Sequence, residues 1–268
     1  MNRIVINILF LFFILMGIKS SAQHQELYEL KTFIDNTDTL NYRILYPKDF
    51  SEDKQYPLVL FLHGAGERGS NNASQLTHGS KLFASENNRE VFPAIVVFPQ
   101  CPQDDYWANA SIDRSTKPLT IKFYNGGQPT KALGLVMQLM DTMVAESFVD
   151  KQKVYVGGLS MGGMGTFEIL YRKSDMFAAA FAICGGGNTE VAEAYAKTID
   201  LWIFHGAKDD VVVPQFSIDM VSAILNYGGK PNFTLYADDN HNSWDSAFAE
   251  PKLLPWLFSK SKKNNELN

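Results

Sequence analysis

The sequence predicts an α/β domain: an open, mostly parallel sheet of about eight strands, covered by helices on both faces and carrying no separate lid domain. Three observations lead there. Short apolar runs without polar alternation recur along the chain, as strands buried on both faces require. Amphipathic helical patterns fall between those runs. Several runs end in glycine-rich polar turns, where a doubly wound sheet presents its loops.

The elements follow in order. Residues 42–46 read as an early strand, and 24–46 as antiparallel edge strands ahead of the βα alternation. Leu58-Val59-Leu60-Phe61-Leu62 has no polar position, and 94–98, 154–157, 179–183 and 201–204 are similar. Residues 233–236 are a further candidate strand. Between them, 131–148 carries Leu135, Val136, Leu139, Met140, Met143 and Val144 on one helical stripe. Segments 161–171, 215–227 and 246–258 are the other expected helices. Gly228-Gly229 closes the 215–227 pattern with residues suited to a left-handed cap. Stretches 64–90 and 100–130 read as long loops overhanging the carboxyl edge of the sheet.

Composition fits this expectation. The 268 residues are 46% apolar, 20% charged and 13% aromatic, enough for one sizeable core. Residues 1–22 stand apart. Arg3 precedes a run from Ile4 to Ile18 broken only by Asn7 and Gly17, and Ser20-Ser21-Ala22 follows. That pattern is read as an export signal cleaved after Ala22, leaving 23–268 as the single folded domain of a secreted or periplasmic protein. The run is short for a bilayer span, so no stable membrane insertion is expected of the mature chain. A formal charge of −5, which loss of Arg3 and Lys19 makes more negative, gives no electrostatic reason to bind nucleic acid. The two cysteines, Cys101 and Cys184, either pair or sit as small buried residues. No Cys/His spacing resembles a zinc site.

The chemistry concentrates at strand ends. Gly158-Leu159-Ser160-Met161-Gly162 follows the apolar run at 154–157 and opens a helical segment. A nucleophilic serine needs a tight strand-to-helix turn that lifts its oxygen clear of the sheet, above a positive helix N-terminus. Ser160 meets that description. A developing oxyanion also needs two backbone N–H groups. Met161, after the serine, supplies one. Ala65, in Leu62-His63-Gly64-Ala65-Gly66-Glu67-Arg68-Gly69, supplies the other. His63 is expected to bond its own loop rather than act as a base. Glu67 and Arg68 either pair with each other or are solvated.

A serine nucleophile needs a base and a carboxylate that orients it. Beyond Ser160 the histidines are His205 and His241. His205 ends a strand in His205-Gly206-Ala207-Lys208-Asp209-Asp210 and is expected to support that turn. Asp209 is the favoured acid, with Asp210 as competitor. His241, in the polar run Asp238-Asp239-Asn240-His241-Asn242, is the expected base. Trp107 and Trp244 either line the acyl or alcohol pocket or pack beneath its loops. This chemistry requires neither a metal nor an organic cofactor.

These residues resemble the α/β-hydrolase superfamily over about 42–258. More narrowly, the chain is similar to secreted single-domain esterases of the phospholipase/carboxylesterase-like, dienelactone-hydrolase-like and polyhydroxybutyrate-depolymerase-like branch. LHGAGERG (62–69), FPQCP (98–102), VYVGGLSMGGMGTF (154–167), IFHGAKDDVV (203–212) and HNSWD (241–245) carry the resemblance. It implies a Ser160–Asp209–His241 triad and ester hydrolysis, with feruloyl or acetyl esters on plant carbohydrate among the substrates of relatives. Similar proteins have one residue fewer between the aspartate and Pro214, which keeps Asp210 open. Two other functions compete. A prolyl-oligopeptidase-type peptidase would share the triad but usually carries a large N-terminal filter domain. A binding protein on the same scaffold would have lost the chemistry.

Overall fold

A computed structural model describes residues 24–263, and the expected export segment lies outside them. An eight-stranded sheet runs in the order β1-β2-β4-β3-β7-β8-β9-β10. Its strands are β1 (Glu29–Asp35), β2 (Asp38–Leu45), β3 (Tyr56–Leu62), β4 (Ile95–Pro99), β7 (Val149–Leu159), β8 (Ala179–Ile183), β9 (Asp200–Gly206) and β10 (Asn232–Tyr236). β1 and β2 pair antiparallel at one edge, and β4 through β10 run parallel, as expected. The short hairpin β5 (Ala110–Asp113) and β6 (Thr120–Phe123) forms a separate two-stranded sheet within the stretch read as a loop.

The unbroken apolar runs have a simple cause. Leu58, Leu60 and Leu62 face one layer, while Val59 and Phe61 face the other. The first layer is built by α3 (Lys131–Ala145), α4 (Met161–Arg172) and α5 (Gln215–Asn226). The second holds α1 (Ser80–Ala84), α6 (Trp244–Ala249) and α7 (Leu253–Phe258), with α2 (Glu86–Val91) following α1 at its side. A strand covered on both faces has no position left for a polar residue.

Local chemistry sets the ends. Thr130 caps α3 by accepting the Leu133 N–H at 3.2 Å, a contact worth about 1 kcal/mol. α5 closes through Gly228, whose φ of +84° suits glycine; the next amide, of Gly229, bonds Ile224 O at 2.8 Å. The expected single helix over 246–258 is two. Pro251 lacks an N–H and forces Glu250 into an extended conformation, which ends α6. β7 begins five residues before the expected 154, because Val149 already pairs with Tyr56, ahead of a register shift that takes up the polar stretch Asp150 to Lys153. No helix among the described residues is long and apolar enough to cross a membrane.

The junction of β7 and α4 is the tightest point of the fold. Ser160 holds φ +53° and ψ −116°, a conformation side-chain-bearing residues rarely adopt. The turn brings α4 so close to β3 that a Cβ on Gly162 would lie 1.8 Å from Leu62 O. One on Gly158 would lie 2.3 Å from Gly162 O. Both obstacles are backbone and cannot swing aside. Gly162→Ala is therefore expected to destabilise the fold by about 3 kcal/mol or more, at the upper end of overpacking costs. Urea unfolding measures this, and a midpoint matching wild type would refute the crowding.

Candidate active site

Three elements bring their ends together at the carboxyl edge of the sheet. Ser160 stands at the β7–α4 turn, its N–H fixed to Ile183 O at 2.9 Å. His241 lies in the loop between β10 and α6. Asp209 follows β9 and is 5% exposed. Ser160 Oγ is 3.0 Å from His241 Nε2, and His241 Nδ1 is 2.8 Å from Asp209 Oδ2. The three side chains named from sequence thus form one continuous hydrogen-bonded line.

The two loops are tied to each other. Ala207 N–H donates to Tyr236 O at 2.8 Å and Lys208 N–H to Asp239 O at 2.9 Å. Gly206 permits this approach: a Cβ there would meet Asn240 O at 2.3 Å. Geometry separates the neighbouring aspartates. Asp210 is exposed and pairs with Lys117 at 2.7 Å. Asp209 points inward, its Oδ1 accepting the Val211 and Val212 N–H groups at 2.9 and 3.0 Å. Burial alone would raise the Asp209 carboxyl. The hydrogen bonds from His205 and His241 outweigh burial and hold it well below the usual carboxylate range. Asp209 is thus a fixed anion behind the imidazole.

A cavity of about 220 Å³ opens over Ser160 and His241. Ala65, Gly64, Gly66 and Glu67 form one wall, Trp244 and His78 a second, and Tyr106, Leu119, Val211 and Val212 a third. Neither the Ala65 nor the Met161 N–H donates to a backbone carbonyl in the turns and caps among the described residues. Trp244 lies against His241, with ring centroids 5.5 Å apart.

Of the two readings for Trp107, packing beneath the loops is the one observed, and the residue does not line the pocket. It is fully buried, its indole N–H donating to His63 O at 3.1 Å, and Gly165 of α4 packs on its Cβ. It supports the loops from beneath, and its neighbour Tyr106 takes the wall position. Nothing in the sequence distinguishes two adjacent aromatics in an irregular stretch. Leu119 was likewise unforeseen, because it arrives on the β5–β6 hairpin. That hairpin is clipped to the acid loop by Leu119 N–H to Val211 O at 2.9 Å and by the Lys117–Asp210 pair.

The remaining expectations divide as follows. His63 bonds its own loop: Nδ1–H donates to Gly64 O at 2.7 Å, and Nε2 accepts the Cys101 N–H at 3.0 Å. Arg68 does not pair with Glu67 but donates to Ala65 O and Asp105 O. Glu67 instead faces His78 at 3.8 Å. Buried Gln100, which drew no attention in the sequence, pins the 64–90 stretch through Glu67 O, Asn71 Oδ1 and the Asn72 N–H. Cys101 and Cys184 are both buried and free. Cys184 lies beside Asp209 and His241, but burial pushes its thiol up, so it stays protonated near neutral pH.

Comparison with known proteins adds a lineage to this geometry. A model of the phospholipase/carboxylesterase family matches residues 49–252. The chain belongs to that family. Within a wider circle, it is 31% identical over 156 residues to a bifunctional acetylxylan esterase/xylanase of Neocallimastix patriciarum, across 58% of this chain and 20% of that protein. It is 23% identical over 203 residues to a probable feruloyl esterase C of Aspergillus terreus, across 73% of this chain and 64% of that one. A solved thermostable esterase superposes with a TM-score of 0.78 at 32% identity, over 89% of this chain and 64% of its own. This family member therefore spans only part of these relatives, a fifth in the first case.

Buried His63 gives the family member a measurable acid sensitivity. Desolvation lowers its pKa to about 4, against the raising effect of the Gly64 carbonyl. Between about 6.5 and 4 the unfolded imidazole binds a proton that the folded one does not, so stability falls as pH drops through that window. The full loss is about 3 kcal/mol. Denaturant titrations at several pH values should show a shallower decline for His63→Gln than for wild type; parallel curves would disprove the assignment.

Proposed function

We propose that this protein is a serine carboxylic-ester hydrolase that works through an acyl-enzyme. The observation carrying the reading is the unbroken line from Ser160 Oγ through His241 to the buried Asp209 carboxylate, beside two unengaged amides. Ser160 Oγ attacks the ester carbonyl while its proton passes to His241 Nε2. The Ala65 and Met161 N–H groups take the oxyanion. Collapse of the tetrahedral intermediate breaks the carbon–oxygen bond, and the departing alkoxide takes the proton from His241. Water then repeats the sequence, His241 removing its proton, and hydrolysis frees the acid and Ser160. Asp209 holds the imidazole in the tautomer with Nδ1–H and stabilises its cation.

The names of two relatives, an acetylxylan esterase/xylanase and a probable feruloyl esterase, favour short or aromatic acyl groups on carbohydrate. A cavity of about 220 Å³ suits acyl parts of that size. The export pattern at 1–22 would place the enzyme outside the cytoplasm, where such polymers are met. A peptidase reading has its own support in a dipeptidyl-peptidase 5 of Porphyromonas gingivalis, 25% identical over 189 residues.

Turnover of p-nitrophenyl acetate, feruloyl esters, acetylated xylan and a dipeptidyl amide separates these readings. Esters are expected to be cleaved far faster than the amide. Ser160→Ala should lower kcat by roughly 10⁴-fold or more and abolish fluorophosphonate labelling, while the fold persists. Labelling that survives in Ser160→Ala would place the nucleophile elsewhere.

A further inference from the structure

The Asp209 carboxylate has a second imidazole on it. His205 Nε2 is 3.1 Å from Asp209 Oδ2, the same oxygen that accepts from His241. It is also 2.9 Å from Val212 O. Both neighbours are acceptors, so His205 carries its proton on Nε2. Its other nitrogen, Nδ1, is 2.7 Å from Ser217 Oγ on α5, which is in turn 3.0 Å from Gly185 O. His205 and Ser217 are both fully buried.

One hydroxyl proton serves two acceptors here. If Ser217 gave it to Gly185 O, His205 Nδ1 would need a proton of its own, and the ring would be a fully buried cation. It would then share one carboxylate with His241 at the moment His241 becomes an imidazolium. Donation from Ser217 to Nδ1 avoids that cost. The resulting chain is Ser160–His241–Asp209–His205–Ser217, two serine–histidine arms meeting on one carboxylate oxygen. The outer arm opens to the cavity and the inner one is sealed in the core.

We propose that His205, locked in its Nε2–H tautomer by Ser217, is a positioning residue that fixes Asp209 and moderates the negative charge it presents to His241. The proposal rests on the esterase reading for its kinetic consequences. A second donor on Oδ2 holds that oxygen in the plane His241 needs. It also withdraws electron density, so Asp209 stabilises the imidazolium without capturing its proton. Cys184 from the end of β8 is the other titratable group against Asp209, and its thiol stays protonated. Lys208 and Asp210 flank the acid in sequence but are exposed and paired with Asp238 and Lys117. Beside His241, His205 is the charge-sensitive contact on Asp209 Oδ2.

The test compares His205→Leu, which removes the donor, with His205→Gln, which keeps an N–H at the end of the side chain. For His205→Leu, kcat on p-nitrophenyl acetate should fall roughly 10–100-fold with KM nearly unchanged, as when a partner one contact removed from a reacting group is lost. The acid limb of the kcat/KM profile should move to higher pH by about half a unit or more, because an unshared carboxylate favours the charged His241. The glutamine variant should recover most of both changes. A merely structural role predicts a lower melting temperature with an unmoved acid limb, and that result, or a downward shift, overturns the proposal. Should His205→Leu not fold, Ser217→Ala tests the same tautomer lock and must shift the limb in the same direction by a smaller amount; no shift overturns it. The low-field proton resonance of His241 Nδ1–H, expected to move in His205→Leu and return in His205→Gln, is read without substrate. If wild type cleaves no ester and takes no fluorophosphonate label, the esterase reading fails, and that resonance still decides the role of His205.

Discussion

The backbone of the β7–α4 turn has no room for side chains on its inner surface, and the site is arranged around that constraint. Gly158 and Gly162 let α4 press against Leu62 O, and the squeeze leaves Ser160 at a positive φ. A strained residue persists only where its surroundings over-determine it. Here the Ser160 N–H is tied to Ile183 O, its carbonyl accepts from the Met164 N–H, and the helix it caps is buried almost throughout. The same geometry that costs conformational energy points Oγ out of the sheet and leaves the Met161 amide free. Neither outcome would survive a relaxed turn.

His241 is placed by a different principle. It sits on no regular element, yet its ring lies within hydrogen-bond reach of both Ser160 and Asp209. The precision comes from β9 and β10 pairing in register and from two amide contacts that fasten the Asp209 loop to the His241 loop. Gly206 makes those contacts feasible by removing the one atom that would hold the loops apart. Asp209 and His241 are therefore fastened to each other through their own loops, independently of the turn that carries Ser160.

Much of this was legible in the chain, and the boundary of legibility has a physical explanation. Runs such as 58–62 signal a doubly covered strand because burial on both faces leaves a compositional mark that needs no partner to be read. Ser160 and Asp209 stand out because each follows such a run in a turn whose glycines, Gly158, Gly162 and Gly206, are there for steric reasons; His241 stands out as one of two histidines beyond Ser160, in a polar run after the β10 segment. Trp107 and Tyr106 could not be told apart: which of two adjacent aromatics faces a cavity depends on the path of an irregular backbone. The β5–β6 hairpin was hidden for a related reason. Its short strands bury little, so 110–123 carries weak alternation, and its position is fixed by contacts to Val211 and Asp210 nearly a hundred residues away. The break between α6 and α7, by contrast, was available in Pro251 and was obscured by an apolar periodicity that continues across it.

The walls of the cavity divide between these two kinds of information. The side formed by Ser160, Gly64 and Ala65 belongs to strand ends and is specified by local sequence. The opposite side, Tyr106, Leu119 and Val211, is assembled from the 100–130 segment folded across the acid loop. That segment is anchored at its far end by Arg172 of α4, which donates to Gly127 O while paired with Glu168 in a largely buried contact. The cavity thus rests on separable parts. The turn beneath Ser160 depends on backbone crowding that leaves no room for a Cβ at Gly158 or Gly162. The far wall depends on a hairpin held to the loop after β9 by one amide contact and one ion pair.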